Sequence, residues 1–489
     1  MAARRTALLC LIGALILASP GGALAQKMFS RGPSSNIGKP MAPTGGGGGF
    51  RGPGWGAVVP GVIMGLPQGY PPDGPVIDNG PRQSRQTNRR NASGAPPANE
   101  SRLVPDEVVI ELSNSVSAQQ IDALQRRFRL TRIESQTFQL SNTTLYRWRI
   151  SDRRSVATVV RALEGDRLVA SAQPNYLFTL QEAEAGSEGD PAQYELAKLH
   201  LPQAHTLARG DNVLVAVIDS AIDVNHPELA GSIAERFDAL TPSMGPHKHG
   251  TAIAGLIAAH AKLMGAAPAA RILAVSAFDP KDAGAEGTTF NILKGLDWAA
   301  THGARVINMS FAGPPDPAIH RSLEAARKRG IVLVAAAGNG GAKSPPLYPA
   351  AERNVIAVTA TDAEDKLFEQ SNRLFEQSNR GPYVTLAAPG TQILVASPES
   401  GYDVSSGTSY SAAEISGIVA LMLQRKPDLT PEQVRGILRA TAKDLGPKGP
   451  DAMFGAGLAD AYGALTAETV PLTAGGSRPV ERVSRGGTR

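Results

Sequence analysis

Five short, mostly apolar runs recur through the middle of the chain: VLVAVI at 213–218, RILAVSA at 271–277, RVINMS at 305–310, IVLVAAA at 331–337 and NVIAVTA at 354–360. A strand without a polar alternate face has no side to offer to water, so these runs need cover on both faces. The stretches between them supply it. HGTAIAGLIAAHA at 249–261, FNILKGLDWAATHG at 290–303 and PAIHRSLEAARKRG at 317–330 have helical length and spacing. Strands alternating with helices in this way predict an α/β fold, a doubly wound and mostly parallel sheet. Ligands in such sheets bind beyond the carboxyl ends of the strands, so the residues that follow each run are the candidates for chemistry.

The first run ends directly in Asp219, within DSAIDVNHPEL. The helix from 249 opens on His249, followed by Gly250 and Thr251; His247, two positions earlier, competes for the same role. The run at 331–337 leads into Gly338-Asn339-Gly340, and SSGTSYSAAEISGIVALM puts Ser409 at the first turn of an apolar helix. Each has an ordinary reading as a cap or a turn residue. Together they are a carboxylate, an imidazole, an amide donor and a hydroxyl in the order Asp, His, Asn, Ser. Asp, His, Ser is one of the orders in which the serine triad occurs. A serine at a helix N-terminus sits among unpaired N–H groups that favour developing negative charge. An imidazole at such an end is pushed towards the neutral form that a general base needs, unless a carboxylate holds its proton.

The motifs VAVIDSAID with HPEL, HGTAIAG, INMSFAG, AAAGN, LAAPG and SSGTSYSAA stand in this order, and residues from about 190 to 466 resemble a subtilase, a subtilisin-like serine peptidase. The resemblance implies that Ser409 is the nucleophile, His249 its base, Asp219 the group that orients His249, and Asn339 with the Ser409 backbone N–H the oxyanion donors. It implies further that Ser310, Phe311, Ala312 and Gly313 pair with substrate backbone, and that Ala336, Ala337 and Gly338 line the primary specificity pocket. Ala221, Lys248 and Ala312 stand where the family commonly has glycine. Ala413 and Glu414 stand where it often has proline and a ring-bearing residue. Lys248 adds positive charge beside the imidazole, an influence that lowers its pKa.

Ahead of this unit, VPDEVVIEL, AQQIDALQRRF, TRIESQTFQL, TLYRWRI, SVATVVRALEG and LVASAQPNYLFTL read as βαββαβ, a small ferredoxin-like α+β domain over 102–181. By position and element order it resembles the inhibitory propeptide that subtilases often carry, which makes it the intramolecular partner of the cleft. The joint at 181–193 is hydrophilic and is the expected region of propeptide cleavage. Residues 1–25 read as a secretory signal, with Arg4 and Arg5 before an apolar run and Ala23-Leu24-Ala25 before the cut. Residues 26–101, rich in glycine and proline, and the tail 467–489 read as disordered. The single cysteine, Cys10, falls within the signal, so the mature chain has no disulfide.

The expectation is therefore an exported endopeptidase, periplasmic or extracellular, acting on proteins or peptides. Its net charge of +5 comes with no nucleic-acid motif, and no membrane partner is expected after signal removal. No metal is required; calcium is compatible with the family, but no calcium loop of recognisable spacing occurs. A non-catalytic, subtilase-like peptide-binding or interaction protein is the alternative. A sedolisin-type acid peptidase is disfavoured by the HGT motif. LFEQSNR occurs twice in succession, at 367–373 and 374–380, and the first copy is expected to be an insertion before a second copy that fits the family pattern.

Overall fold

The N-terminal part of the fold starts with β1 (Leu103–Leu112), α1 (Ala118–Phe128), β2 (Leu130–Phe138), β3 (Thr143–Ile150), α2 (Val156–Glu164) and β4 (Val169–Leu180). The computed structural model describes residues 93–113, 116–181, 193–281, 284–369 and 378–468. The expected signal, nearly all of the glycine- and proline-rich stretch, nearly all of the joint at 181–193 and nearly all of the tail lie outside these residues. The strand order β2-β3-β1-β4, antiparallel throughout, is the ferredoxin-like plan read from the sequence. Ser117 and Gln120 form a reciprocal capping box at the start of α1. Trp148 is fully buried against the helix side chains Val159, Val160 and Leu163.

The second part continues through α3 (Tyr194–Lys198), α4 (Leu201–Ala204), β5 (Leu214–Asp219), β6 (Ile233–Asp238), α5 (Lys248–Ala258), β7 (Arg271–Ser276), β8 (Asp279–Lys281) and β9 (Gly284–Thr288). There follow α6 (Thr289–Thr301), β10 (Val306–Met309), β11 (Phe311–Ala312), α7 (Pro317–Lys328), β12 (Val332–Ala336), β13 (Ile356–Thr361) and β14 (Val384–Pro389). The last elements are the hairpin of β15 (Ile393–Ser397) and β16 (Gly401–Ser405), then α8 (Thr408–Arg425), α9 (Pro431–Thr441) and α10 (Ala461–Thr466). The order β14-β13-β12-β10-β5-β7-β6 makes a seven-stranded sheet in which every pairing is parallel. All five apolar runs are strands of it, and β6 and β14 complete it. Helix α8 is buried from Thr408 to Leu423, all but its last two residues. That is why its sequence, Tyr410 and Glu414 apart, is apolar or small on every face rather than on one.

Strand β4 joins the two parts. It pairs with β1 on its own domain's edge, while its far end lies antiparallel between β9 and β11. Neither β8 nor β9 is announced by the sequence, because DPK and GAEGT are short, polar and glycine-rich; β4 organises them. Around this junction Asp316, the N-cap of α7, receives Gln173 Nε2 at 2.9 Å, Thr289 Oγ1 at 2.6 Å and the N–H groups of Ala318 and Ile319. Burial pushes its carboxyl up, and these four donors oppose that shift. The Tyr176 N–H bonds Thr289 Oγ1, and Asn175 Oδ1 accepts from the Phe290 N–H. The N-terminal part thus satisfies polar groups at the starts of α6 and α7.

The tandem repeat is divided differently from the sequence expectation. Leu367 and Phe368 of the first copy are buried, as are Ser378 and Asn379 of the second, and residues 370–377 lie outside the described residues. The Ser378 N–H donates to the Phe368 carbonyl at 3.1 Å, and Arg380 pairs with Glu369 at 2.8 Å. The fold therefore uses the front of one copy and the back of the other. Deleting residues 370–376 restores a single LFEQSNR and turns that 3.1 Å bond into the i to i+3 closure of a four-residue turn, Phe368-Glu369-Gln377-Ser378. The deletion variant is expected to melt within about 2 °C of the parent and to keep its activity, as checked by calorimetry and peptide hydrolysis.

Candidate active site

Asp219 closes β5 with its side chain fully buried. Its Oδ1 accepts from the Ser220 N–H at 2.7 Å, from Ser220 Oγ at 3.1 Å and from His249 Nδ1 at 2.7 Å. His249 is the second residue of α5 and is 1 % exposed. The helix comes this close because residue 250 is glycine: a Cβ there would lie 2.3 Å from the Ser220 carbonyl oxygen. The bond from Nδ1 to a carboxylate fixes the tautomer and leaves Nε2 as the basic nitrogen.

Ser409 is the second residue of α8 and is fully buried. Its Oγ donates to the Ser310 carbonyl at 3.0 Å, and Ser310 Oγ donates back to the Ser409 carbonyl at 3.1 Å. Asn308 Nδ2 donates to Ser310 Oγ, and Ser416 Oγ donates to Asn308 Oδ1. A buried polar line thus ties the end of β10 to the helix carrying Ser409. Asn339 is 8 % exposed, and its Oδ1 accepts both the Thr408 N–H at 3.1 Å and Thr408 Oγ1 at 2.9 Å. These two donors decide which way the amide faces. Its Nδ2 is left buried without a protein acceptor, a donor held ready for negative charge.

The expected substrate edge is occupied by the chain's own β4. Phe311 pairs with Leu180 and Ala312 with Thr179, and the Gln181 N–H donates to the Ser310 carbonyl at 3.2 Å. On the opposite side Thr179 pairs with Glu286 and Phe178 with Gly287. Gly313 bonds Tyr348 instead and touches β4 through space, since a Cβ there would lie 2.3 Å from the Phe178 ring. The extra methyl of Ala312 is accommodated within the pairing. Ala336 belongs to β12, the Ala337 N–H bonds Val358, and the Gly338 N–H bonds Thr408 Oγ1. The Gln181 side chain meets the Asn339 N–H through Oε1 at 3.0 Å.

Three residues of the arrangement were given no role by the sequence reading: Ser220 and Thr408, which lie inside quoted motifs, and Gln181, which lies outside them. Thr408 could have been suspected from its place before Ser409; Gln181 becomes visible only through strand register. Glu228 of the HPEL motif is buried and accepts from three successive N–H groups, Ala261 to Leu263, and from the Tyr402 hydroxyl. Among the described residues no three His, Cys, Asp or Glu side chains converge as a metal site.

The profile of the subtilase family matches residues 210–457, and that of the fervidolysin N-terminal prodomain matches residues 89–175. The thermophilic serine proteinase of Bacillus sp. (strain AK1) is 32 % identical over 321 residues, covering 64 % of this chain and 76 % of that protein. Thermitase from Thermoactinomyces vulgaris is 33 % identical over 282 residues, 56 % of this chain and 95 % of its own length. Among solved structures, fervidolysin from Fervidobacterium pennivorans, a keratinolytic enzyme related to subtilisin, superposes with a TM-score of 0.63 at 23 % identity. That likeness is one of fold; it covers 76 % of this chain and 62 % of the fervidolysin chain.

Proposed function

Because the chain belongs to the subtilase family of serine peptidases, we propose that it is an exported endopeptidase that first cuts its own N-terminal domain free, on the carboxyl side of Gln181. The observation that carries this reading is a shared acceptor. The Gln181 N–H and Ser409 Oγ both lie within 3.2 Å of the Ser310 carbonyl oxygen, which brings the backbone of Gln181 to the nucleophile's end of the cleft.

In the proposed reaction the Ser409 hydroxyl turns from Ser310 to His249, gives up its proton there, and its Oγ attacks the carbonyl carbon. Asp219 holds His249 in the right tautomer and stabilises the imidazolium. Asn339 Nδ2 and the Ser409 N–H receive the oxyanion. His249 then protonates the leaving amine, the bond to nitrogen breaks, and water releases the acyl group by the same steps reversed. The family match at residues 89–175 supports a propeptide role for the N-terminal part, which would occupy the cleft until it is cut and leaves. Export rests on residues 1–25, and the destination is the periplasm or the medium. No helix among the described residues is long and apolar enough to cross a membrane.

Labelling with a fluorophosphonate probe tests the assignment. The probe is expected to modify Ser409, and mass spectrometry of the matured protein is expected to find a released fragment ending in Gln181. A precursor that stays intact and never labels, even after limited proteolysis between residues 181 and 193, would favour the non-catalytic reading.

A further inference from the structure

Ser220 Oγ has three polar neighbours and one proton. Asp219 Oδ1 lies at 3.1 Å, the Gly250 N–H at 3.1 Å and His247 Nδ1 at 3.0 Å. The Gly250 N–H can only donate and the carboxylate can only accept, so the hydroxyl proton is contested between Asp219 and His247. The His249 N–H also points at His247 Nδ1, at 3.4 Å, as part of the N-cap of α5. Both contacts suit a neutral His247 with a bare Nδ1.

We propose that His247 is a positioning residue of the active site, which acts through the Ser220 hydroxyl on the carboxylate that holds His249. In its neutral form His247 draws the Ser220 proton towards itself, and Asp219 keeps its full charge for His249. Protonated at Nδ1, His247 donates to Ser220 Oγ. The hydroxyl then turns wholly onto Asp219 Oδ1, and a positive charge stands one hydroxyl away from the carboxylate. Asp219 stabilises the His249 imidazolium less in that state, and the His249 N–H loses its acceptor. Among the charged and titratable groups around His247 are Asp219 through Ser220 on the β5 side, with Lys248 and His249 on its own helix. Asp223, Arg236 and Asp238 line the cavity that also holds Pro246, the residue before it. The active enzyme therefore needs two neutral imidazoles, His247 and His249.

This inference rests on the peptidase reading, and the acid limb of the pH profile of kcat/KM separates the two. With an uncharged peptide substrate, the native enzyme is expected to lose about 100-fold per pH unit on that limb, the slope of two for two required deprotonations. His247→Asn keeps an acceptor for both donors but does not titrate, and its limb is expected to fall about 10-fold per pH unit. Ser220→Ala, which cuts the link and spares His247, is expected to give the same shallower limb. A native slope of one, or a slope of two that survives His247→Asn, would overturn the proposal while leaving the peptidase reading intact. If His247→Asn fails to mature, the native slope and Ser220→Ala decide. A native enzyme with neither turnover nor probe labelling would instead sink the peptidase reading.

Discussion

Ser409→Ala is expected to lower kcat by about a million-fold and to leave the precursor uncut at Gln181, because the reaction then has no nucleophile in a site built around one. Asn339→Leu removes a donor and keeps the volume, and it is expected to cost roughly 10²–10³ in kcat with little change in KM. The buried Nδ2 has no protein acceptor, so its loss breaks no structural bond. The same substitution does remove the acceptor for both Thr408 donors. Thr408→Val is the control for that effect: it keeps Asn339 and the backbone N–H bond to its Oδ1 but removes the Oγ1 bond, and a smaller loss is expected. The double variant Ser409→Ala with Asn339→Leu is expected to be no slower than Ser409→Ala alone, since groups that act as a unit do not add. Steady-state kinetics on matured protein check all four. For variants that fail to mature, supplying the cut in trans between residues 181 and 193 separates a processing defect from a catalytic one.

The second large effect concerns stability. Glu414, five residues beyond Ser409 in α8, is buried and neither carboxyl oxygen has a protein partner. Burial pushes its pKa well up, and the nearby charge of Glu195 adds to that. Glu195, on α3, is buried as well; burial pushes its carboxyl up to about 7 against hydrogen bonds that lower it. A carboxyl whose folded pKa is raised binds its proton in the native state over a range where the unfolded chain has already lost it. Each of these groups therefore takes stability away as pH climbs from the ordinary carboxyl range near 4.5 towards the folded value. For Glu195 the loss amounts to about 3 kcal/mol by pH 8. Glu195→Gln is expected to recover most of that and to raise the melting temperature by roughly 3–5 °C at pH 8, with little change at pH 4.5. Glu414→Gln is expected to act in the same direction. Calorimetry of the Ser409→Ala precursor, where self-digestion cannot interfere, reads both, and a gain of equal size at the two pH values would refute the titration account.

Much of the candidate site was legible because its residues sit where a regular pattern stops. Asp219 ends an apolar run, His249 and Ser409 open helices, and Asn339 follows a strand, so each is marked by the change in pattern itself. The N-terminal fold was legible for a similar reason, since its alternating strands and amphipathic helices are locally encoded. What escaped is long-range. GAEGT at 284–288 is a strand because β4 lies beside it, not because of its own residues. Glu414 read as a departure from the family pattern, and Glu195 drew no reading at all. Only the packing of α3 near α8 brings two buried carboxyls under each other's influence. The Ser220 hydroxyl is invisible as a hub until α5 places Gly250 and His247 against it. The repeat was misassigned because two identical copies give no local reason to prefer one junction, whereas the pairing of Phe368 with Ser378 uses half of each.

Strand β4 is held on two sides at once, by β9 and by the two residues of β11. Its departure would leave a slot one strand wide with bare N–H and C=O groups along both walls. Open edges of this kind invite any extended chain, including another copy of the enzyme, and long flat ones seed aggregation. Here β9 has five residues and β11 two, with glycines at 284, 287 and 313 along the slot. Walls so short and so poor in side chains give a single peptide segment enough bonds to be gripped, yet offer a sheet too little length to spread along. The same brevity that hides β9 from a reading of the sequence would keep the liberated enzyme dispersed.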